Sequence, residues 1–402
     1  MAISDDWLTE HFDYLAPEFG QDIHPPLARM RELCPVGHSD RYEGYWILTR
    51  YDEVLQAAQD WETWSSQVGG GVSIKPAGMT VKAIPVHIDP PLQRDYKRLI
   101  NGWLAPGVVA AYEERTRELV TDLIDDFVEA GECDFQTAFA QPFPGLAFFE
   151  LVLGAPPEEA RLVNHHAHSA TNPANSDSAR HWAALNDWIL EFLDRRRRDR
   201  RRPDIVDGVL HAEVQGRPIT DEEVVGIVTL LILGGLDTTA GVLGANMIRF
   251  CEHPEIPAAL RDRPDLVPDA VEELLRLDGS FIGIGRTARH QTDLGGCPVK
   301  EGEKAYLSWA SANRDDAEFT DPDRFNPRRP RNRHLAFGAG PHRCAGSHLA
   351  RLNLRVAVTE LVQRLQKVTL QVPASDIPWH TGFNRTPMSV PITFTPGARK
   401  GG

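Results

Sequence analysis

The sequence predicts a mainly α-helical fold with a minor β-rich part, and three observations carry that prediction. Helical periodicity dominates from about residue 90 to 280 and resumes before 360, so the larger helical part spans about 90–360. Short β-branched and aromatic runs, "YWILTR", "FIGIGRTA" and "KAYLSWA", fall toward the two ends of the chain. Between them "VVGIVTLLILGGL" is apolar almost without interruption, as a helix buried on most faces should be. No Gly/Ser linker, low-complexity block or internal repeat divides the 402 residues, so 1–402 is read as one domain.

In chain order, "YWILTR" reads as a strand and "YDEVLQAAQ" as the helix behind it. In "HIDPPLQRDYKRLINGWL", Asp89 stands where an N-cap is expected, with prolines in the first turn, and a helix runs to about Leu104. Thr220 and Glu223 have capping-box spacing ahead of the long apolar helix. "PDAVEELLRLDG" is a further helix, "FIGIGRTA" and "KAYLSWA" are strands, and "RCAGSHLARLNLRVAVTELVQRL" is a helix starting at the cysteine.

Composition narrows the function. With 43 basic and 57 acidic residues the net charge is −14, which argues against nucleic acid or an anionic membrane surface as partner. The N-terminus "MAISDDWLTEHFDY" lacks the pattern of a signal peptide, and the most apolar run is too short to insert in a bilayer, so a soluble, cytoplasmic protein is expected. Cys34, Cys133, Cys251, Cys297 and Cys344 are an odd count without a C-x-x-C pair, against a disulfide framework or cysteine zinc site. From Arg328 to Arg355 there are seven arginines and no carboxylate, a local basic face around Cys344; "RRRRDRRRP" at 195–203 reads as a solvated helix end.

Cys344 closes the turn "LAFGAGPHRCAG" and opens an amphipathic run. A helix N-terminus favours a thiolate through its free N–H groups, and glycines at 340 and 346 allow close approach of something flat and bulky, with Phe337 beside the sulfur. Gly234 and Gly235 interrupt the long apolar helix at a cost of roughly 1 kcal/mol each relative to Ala. They precede Asp237 and Thr238, and the Thr238 hydroxyl can reach back to the Gly234 carbonyl, bending the helix and opening a groove.

The spacing Phe337, Gly340, His342, Cys344, Gly346 resembles the haem-ligand signature of the cytochrome P450 family, F-x-x-G-x-H-x-C-x-G, and "GGLDT" resembles that family's central-helix motif. The resemblance, which runs from about Tyr45 to Arg385, implies a triangular, prism-like fold with haem b between the central helix and the cysteine-bearing loop. Cys344 would be the thiolate metal ligand, pushing electron density toward iron. Thr238 would hold dioxygen and a water, and Asp237 would relay protons, a task that suits a buried carboxylate near neutral pKa. Glu273 and Arg276 match E-x-x-R, completed by Arg324 in "PDRF" or by Arg329. Propionate contacts would come from Arg286, His342 and the helix after Asp89. There Gln93 and Lys97 replace the usual His and Arg, Arg98 could substitute, and His87 is a further candidate.

By the same resemblance Leu230, Leu233, Gly234, Phe281, Ile282, Ile284, Phe383 and Met79 would line the pocket for a small to medium hydrophobic substrate, with the Gly-rich 69–86 segment as a lid. The implied activity is monooxygenation with O2 and two electrons from NAD(P)H, delivered by ferredoxin reductase and an acidic ferredoxin docked on the arginine-rich face. A peroxygenase driven by H2O2, or a haem sensor or carrier, are the alternatives; the intact Asp237–Thr238 pair favours the monooxygenase.

Overall fold

The computed structural model describes residues 3–75, 82–171, 175–380 and 382–400. Its main sheet joins the two ends of the chain. Val36–Ser39 pairs antiparallel with Tyr45–Leu48, which runs parallel to Lys304–Leu307; that strand pairs antiparallel with Ile284–Ala288, and Trp64–Ser65 closes the edge. Every residue of Ile284–Ala288 is buried, as befits a strand covered on both faces. A second sheet brings Gln366–Leu370, Pro391–Thr395 and Glu132–Asp134 together. The remainder is helical and packs around one large cluster that includes Phe143, Ile227, Ile232 and Leu274.

The expected elements are present, with local differences that have physical causes. "YDEVLQAAQ" is the helix Tyr51–Gln59. "KAYLSWA" stays extended only to Leu307, because the Ser308 hydroxyl accepts from the Ser311 N–H and starts the short helix Trp309–Ala312. Asp89 does not cap the helix Leu92–Asn101; its carboxylate accepts from the Ser65 hydroxyl, the Ser66 N–H and Arg289. "RRRRDRRRP" is not simply solvated, since Arg196 is buried and bonded to the Leu153 carbonyl and to Asp204.

Thr220 and Glu223 form both halves of a capping box on the helix Asp221–Gly235. Arg217 also grips Glu223, whose carboxyl is pulled down to about 2. A second helix, Asp237–Glu252, continues the same rod beyond Leu236, where φ −98° and ψ −69° mark the break. Thr238 Oγ1 donates to the Gly234 carbonyl at 2.9 Å, as the sequence predicts. A Cβ on Gly235 would sit 2.7 Å from the Phe148 ring, so close helix packing requires the glycine. The combined stretch Asp221–Glu252 is long and apolar enough to cross a membrane, contrary to the expectation from its central run alone. However, 72% of its most apolar window is buried inside the protein, the position of a core helix.

Behind the cysteine loop lies a buried ionic knot. Arg276, on the helix Val267–Asp278, makes a bidentate pair with Glu273 at 2.8 Å and donates to the carbonyls of Asn313 and Pro322. The expected third member, Arg324, contributes only its backbone carbonyl. Arg329 supplies the second guanidinium at 3.0 Å, and Asn332 adds a side-chain donor. Arg324 is solvent-exposed because "PDRF" turns outward there, whereas the side chain of Arg329 is nearly sealed beside Glu273. Arg276→Ala would leave Glu273 buried without its closest countercharge. We expect a loss of about 3–5 kcal/mol in unfolding free energy by urea titration; a loss below about 1 kcal/mol would show the pair to be dispensable.

Candidate active site

The cysteine loop is shaped by hydrogen bonds and by one close approach. The Cys344 N–H donates to the Phe337 carbonyl at 2.8 Å, and Gly338 and Gly340 adopt φ of +64° and +65°. A Cβ on Gly340 would lie 2.3 Å from the Ala58 carbonyl oxygen, so this glycine seats the loop on the helix Tyr51–Gln59 and does not face the cavity, as the sequence reading assumed. Gly346 does line the cavity, and a Cβ there would be 3.8 Å from Cys344 Sγ, an ordinary contact. The helix behind begins at Ser347, three residues later than expected, because residues 341–345 close the turn first.

Cys344 opens toward the cavity and is enclosed elsewhere. Burial pushes its thiol up, against the pull of the Gly346 N–H and of Lys97, Arg343 and Arg351. The helix N-terminus therefore does not by itself hold a thiolate here; a cation bound at Sγ would.

The cavity, about 550 Å³, lies between the 230–239 stretch of the bent helix and the 336–354 stretch of the cysteine loop and its helix. Leu230, Leu233, Gly234, Phe281, Ile284, Phe337 and Phe383 line it, and the Phe281 and Phe383 rings stack nearly parallel at 6.2 Å. Ile282 does not line it. Its backbone is bonded to Phe383 and Ala310, and its side chain packs into the N-terminal cluster with Tyr45 and Tyr306. Met79 lies outside the described residues. Its neighbours in the Gly-rich segment, Val72, Ser73, Ala83 and Pro85, do reach the cavity.

One rim of the cavity gathers polar groups. Arg286 is buried on its strand, its guanidinium bonded to the Gly285 carbonyl; burial pulls its pKa down to about 10. The carboxylate of Asp89, whose charge it feels, is held by Ser65, Ser66 and Arg289. Among the described residues both ring nitrogens of His342 are buried without a hydrogen-bond partner, and burial, then Arg286, pulls its pKa down to about 3. Lys97 Nζ donates to the Pro341 and Arg343 carbonyls, Gln93 Nε2 donates to Pro341, and Gln93 Oε1 has no partner among the described residues. His87 lines the same rim and accepts the Ala83 N–H at Nδ1, leaving Nε2 to donate. Arg98 points away and pairs with Asp95 in solvent. A buried guanidinium beside unpartnered imidazole nitrogens suits an anionic group. With one sulfur opening into the space between, the donor set fits haem and its carboxylates.

Asp237 sits at the bend inside a network that sequence spacing did not reveal. His168 Nδ1 lies 3.3 Å from its Oδ1, Asn384 Nδ2 donates to its Oδ2 at 3.1 Å, and the His168 and His380 rings are 4.6 Å apart. Burial would raise the Asp237 carboxyl, but the His168 hydrogen bond and charge, with His380 and Asn384, bring it below its ordinary value rather than near neutral. The hydrogen bond to Asp237 raises His168 in turn, and burial drops His380 to about 4. His168, His380 and Asn384 lie 69 to 147 residues from Asp237 and belong to no local motif.

Because folding raises His168, its stabilising contribution is present below its ordinary value of 6.5 and fades as pH rises through the folded value. Asp237, lowered on folding, contributes above 3.8 and fades as pH falls through its folded value. The pair is therefore strongest between these limits. The stability difference between wild type and His168→Ala, from urea unfolding, should be larger near pH 5.5 than near pH 8.5; a constant difference would show the pair to be electrostatically idle.

The family model described as "Cytochrome P450" matches residues 261–390. Nocardicin C N-oxygenase of Nocardia uniformis is 34% identical over 386 residues, covering 93% of this chain and 96% of that one. Cyclomarin C epoxidase of Salinispora arenicola is 30% identical over 393 residues, covering 93% and 96%. Among solved structures, the bacillaene polyketide synthase cytochrome P450 PksS of Bacillus subtilis superposes with a TM-score of 0.87 at 25% identity, covering 96% of this chain and all of that one.

Proposed function

Since this chain belongs to the cytochrome P450 family, whose members carry haem, and is a monooxygenase of that family, we propose that Cys344 is its proximal thiolate and that Asp237 and Thr238 form its proton relay. The observation that carries this reading is the Cys344 sulfur opening into the cavity across from the bent helix, with Arg286, Lys97 and, among the described residues, the unpartnered His342 ring nitrogens on one rim. Haem b, when bound, supplies the activation of O2.

Arg286, His342 and Lys97 would hold the propionates, with Gln93 and His87 at the same edge. Thr238 Oγ1 donates a hydrogen bond to the Gly234 carbonyl, so its lone pairs are free to accept from a water in the cavity. Asp237, a charged carboxylate held by His168 and Asn384, takes a proton from protonated His168, whose solvent-reached edge regains one, and hands it to a water in the cavity. The apolar lining orients a small to medium hydrophobic molecule. Asn175, Ser178 and His380 in the same wall add hydrogen-bonding groups, which suits a substrate with an apolar body and a few polar substituents. The named activities of the relatives, on nocardicin C and cyclomarin C, are compatible with such a molecule.

The two electrons come from NAD(P)H through a ferredoxin reductase and an acidic ferredoxin. The basic face is thinner than the sequence suggests, because Arg329, Arg333, Arg351 and Arg355 are paired with Glu273, Glu318, Glu272 and Glu113. Arg328, Arg331 and Arg343 are exposed and, among the described residues, carry no ion pair; they offer the charge that steers the partner.

Two measurements test the reading. Cys344→Ala should lose the thiolate-type Soret band of the ferrous–CO form, and an unaltered spectrum in that variant would overturn the assignment of the ligand. Asp237→Asn should slow NADH-driven product formation by roughly 10²-fold while sparing turnover with added H2O2, which brings its own protons. Turnover of the wild type with peroxide but none with NADH, ferredoxin and reductase would assign the chain to peroxide-driven chemistry instead.

A further inference from the structure

A second cluster of imidazoles lies outside the cavity, where the helices Ala160–Thr171 and Ser178–Arg198 pack against each other. His165 and His166 come from the first helix and His181 from the second. Their ligating nitrogens all lie within 4.8 Å of one another, and His166 Nδ1 is 3.0 Å from His181 Nδ1. The three rings converge at centroid separations of 5.2 to 5.5 Å. His165 is exposed and the other two are half-buried, so the cluster can be reached from solvent.

We propose that His165, His166 and His181 form a binding site for a borderline d-block dication such as Zn2+, tying these two helices together. Two nitrogens bound at about 2.0–2.1 Å to one metal stand roughly 2.8–3.4 Å apart for angles between square and tetrahedral, and the His166–His181 separation of 3.0 Å already lies in that range. Three neutral nitrogen ligands select zinc, copper or nickel over magnesium or calcium, which prefer oxygen. The exposed side at His165 leaves a fourth position for water. Without metal, the same pair is an N–H···N hydrogen bond between two imidazoles.

The site has a consequence for the cavity. His166 adjoins Ala167, which lines the cavity together with Ala170 and Thr171; His181 adjoins Trp182, which lines it with Ser178. A bound ion would thus fix the relative positions of two helices that form one wall of the cavity. The inference goes beyond the oxygenase reading and does not depend on it.

The test uses the haem-loaded protein freed of adventitious metal and titrated calorimetrically with ZnCl2. One ion per chain is expected, with affinity at least tenfold weaker in His166→Ala and in His181→Ala and unchanged in His253→Ala, an exposed histidine elsewhere. Absence of stoichiometric binding, or unchanged binding in His181→Ala, overturns the site. X-ray absorption at the zinc edge of the wild type needs no variant: three nitrogen scatterers at about 2.0–2.1 Å support it, and a sulfur-dominated or all-oxygen shell overturns it. Amide exchange should slow on zinc addition in both helices together; slowing confined to another region would place the ion elsewhere and overturn the assignment.

Discussion

The carboxylate of Glu273 is sealed from solvent, and a charge so placed is tolerable only if its partners are held in position. Arg276 reaches it from the next turn of the same helix, while Arg329, Asn332 and the Asn326 N–H come from the segment that leads into the cysteine loop. Breaking any of these contacts would strand charge in a low-dielectric interior, so the approach of that segment to the helix has little freedom. Gly340 then fixes the far end of the loop against Ala58 and Gln59. Between these two anchors the chain delivers Cys344 to one place in the cavity, and the rim of Arg286, His342 and Lys97 keeps its geometry relative to the sulfur.

The opposite wall obeys a different constraint. A helix as apolar as Asp221–Glu252 would ordinarily run straight, but the Thr238 hydroxyl occupies the Gly234 carbonyl, and Gly235 lets Phe148 press close at the break. The opening thus created faces Cys344. Asp237 stands at its edge and is buried, which in isolation would favour the neutral acid; His168 reverses that outcome by carrying the compensating charge.

Features encoded by short-range pattern were legible in the sequence. The Thr220–Glu223 capping box, the Gly234–Thr238 bend and the helix Tyr51–Gln59 depend on residues within four or five positions of each other, and each is found as read. Cys344, His342 and Arg286 likewise reach one cavity. What escaped the reading depends on long-range packing. The choice between Arg324 and Arg329 rests on which way a loop turns, and Asp89 was misread as a cap because Ser65, Ser66 and Arg289 come from elsewhere in the chain. Ile282 turns into the N-terminal cluster because its backbone is bonded to Phe383 and Ala310, both distant in sequence. The acidities of Cys344 and Asp237 are set in a related way: burial raises the thiol and a distant histidine lowers the acid, and neither influence is written beside the residue.

His168 is on the same helix as Ala167 and Ala170, and Asn384 follows Phe383; all five touch the cavity or the acid at its edge. The walls that choose a guest molecule and the groups that set the acidity of Asp237 are thus carried on shared backbone. A descendant of this chain that reshapes either segment to admit a bulkier guest also alters how readily Asp237 gives up a proton. Divergence in diet and divergence in working pH are, for this architecture, inherited as a single trait.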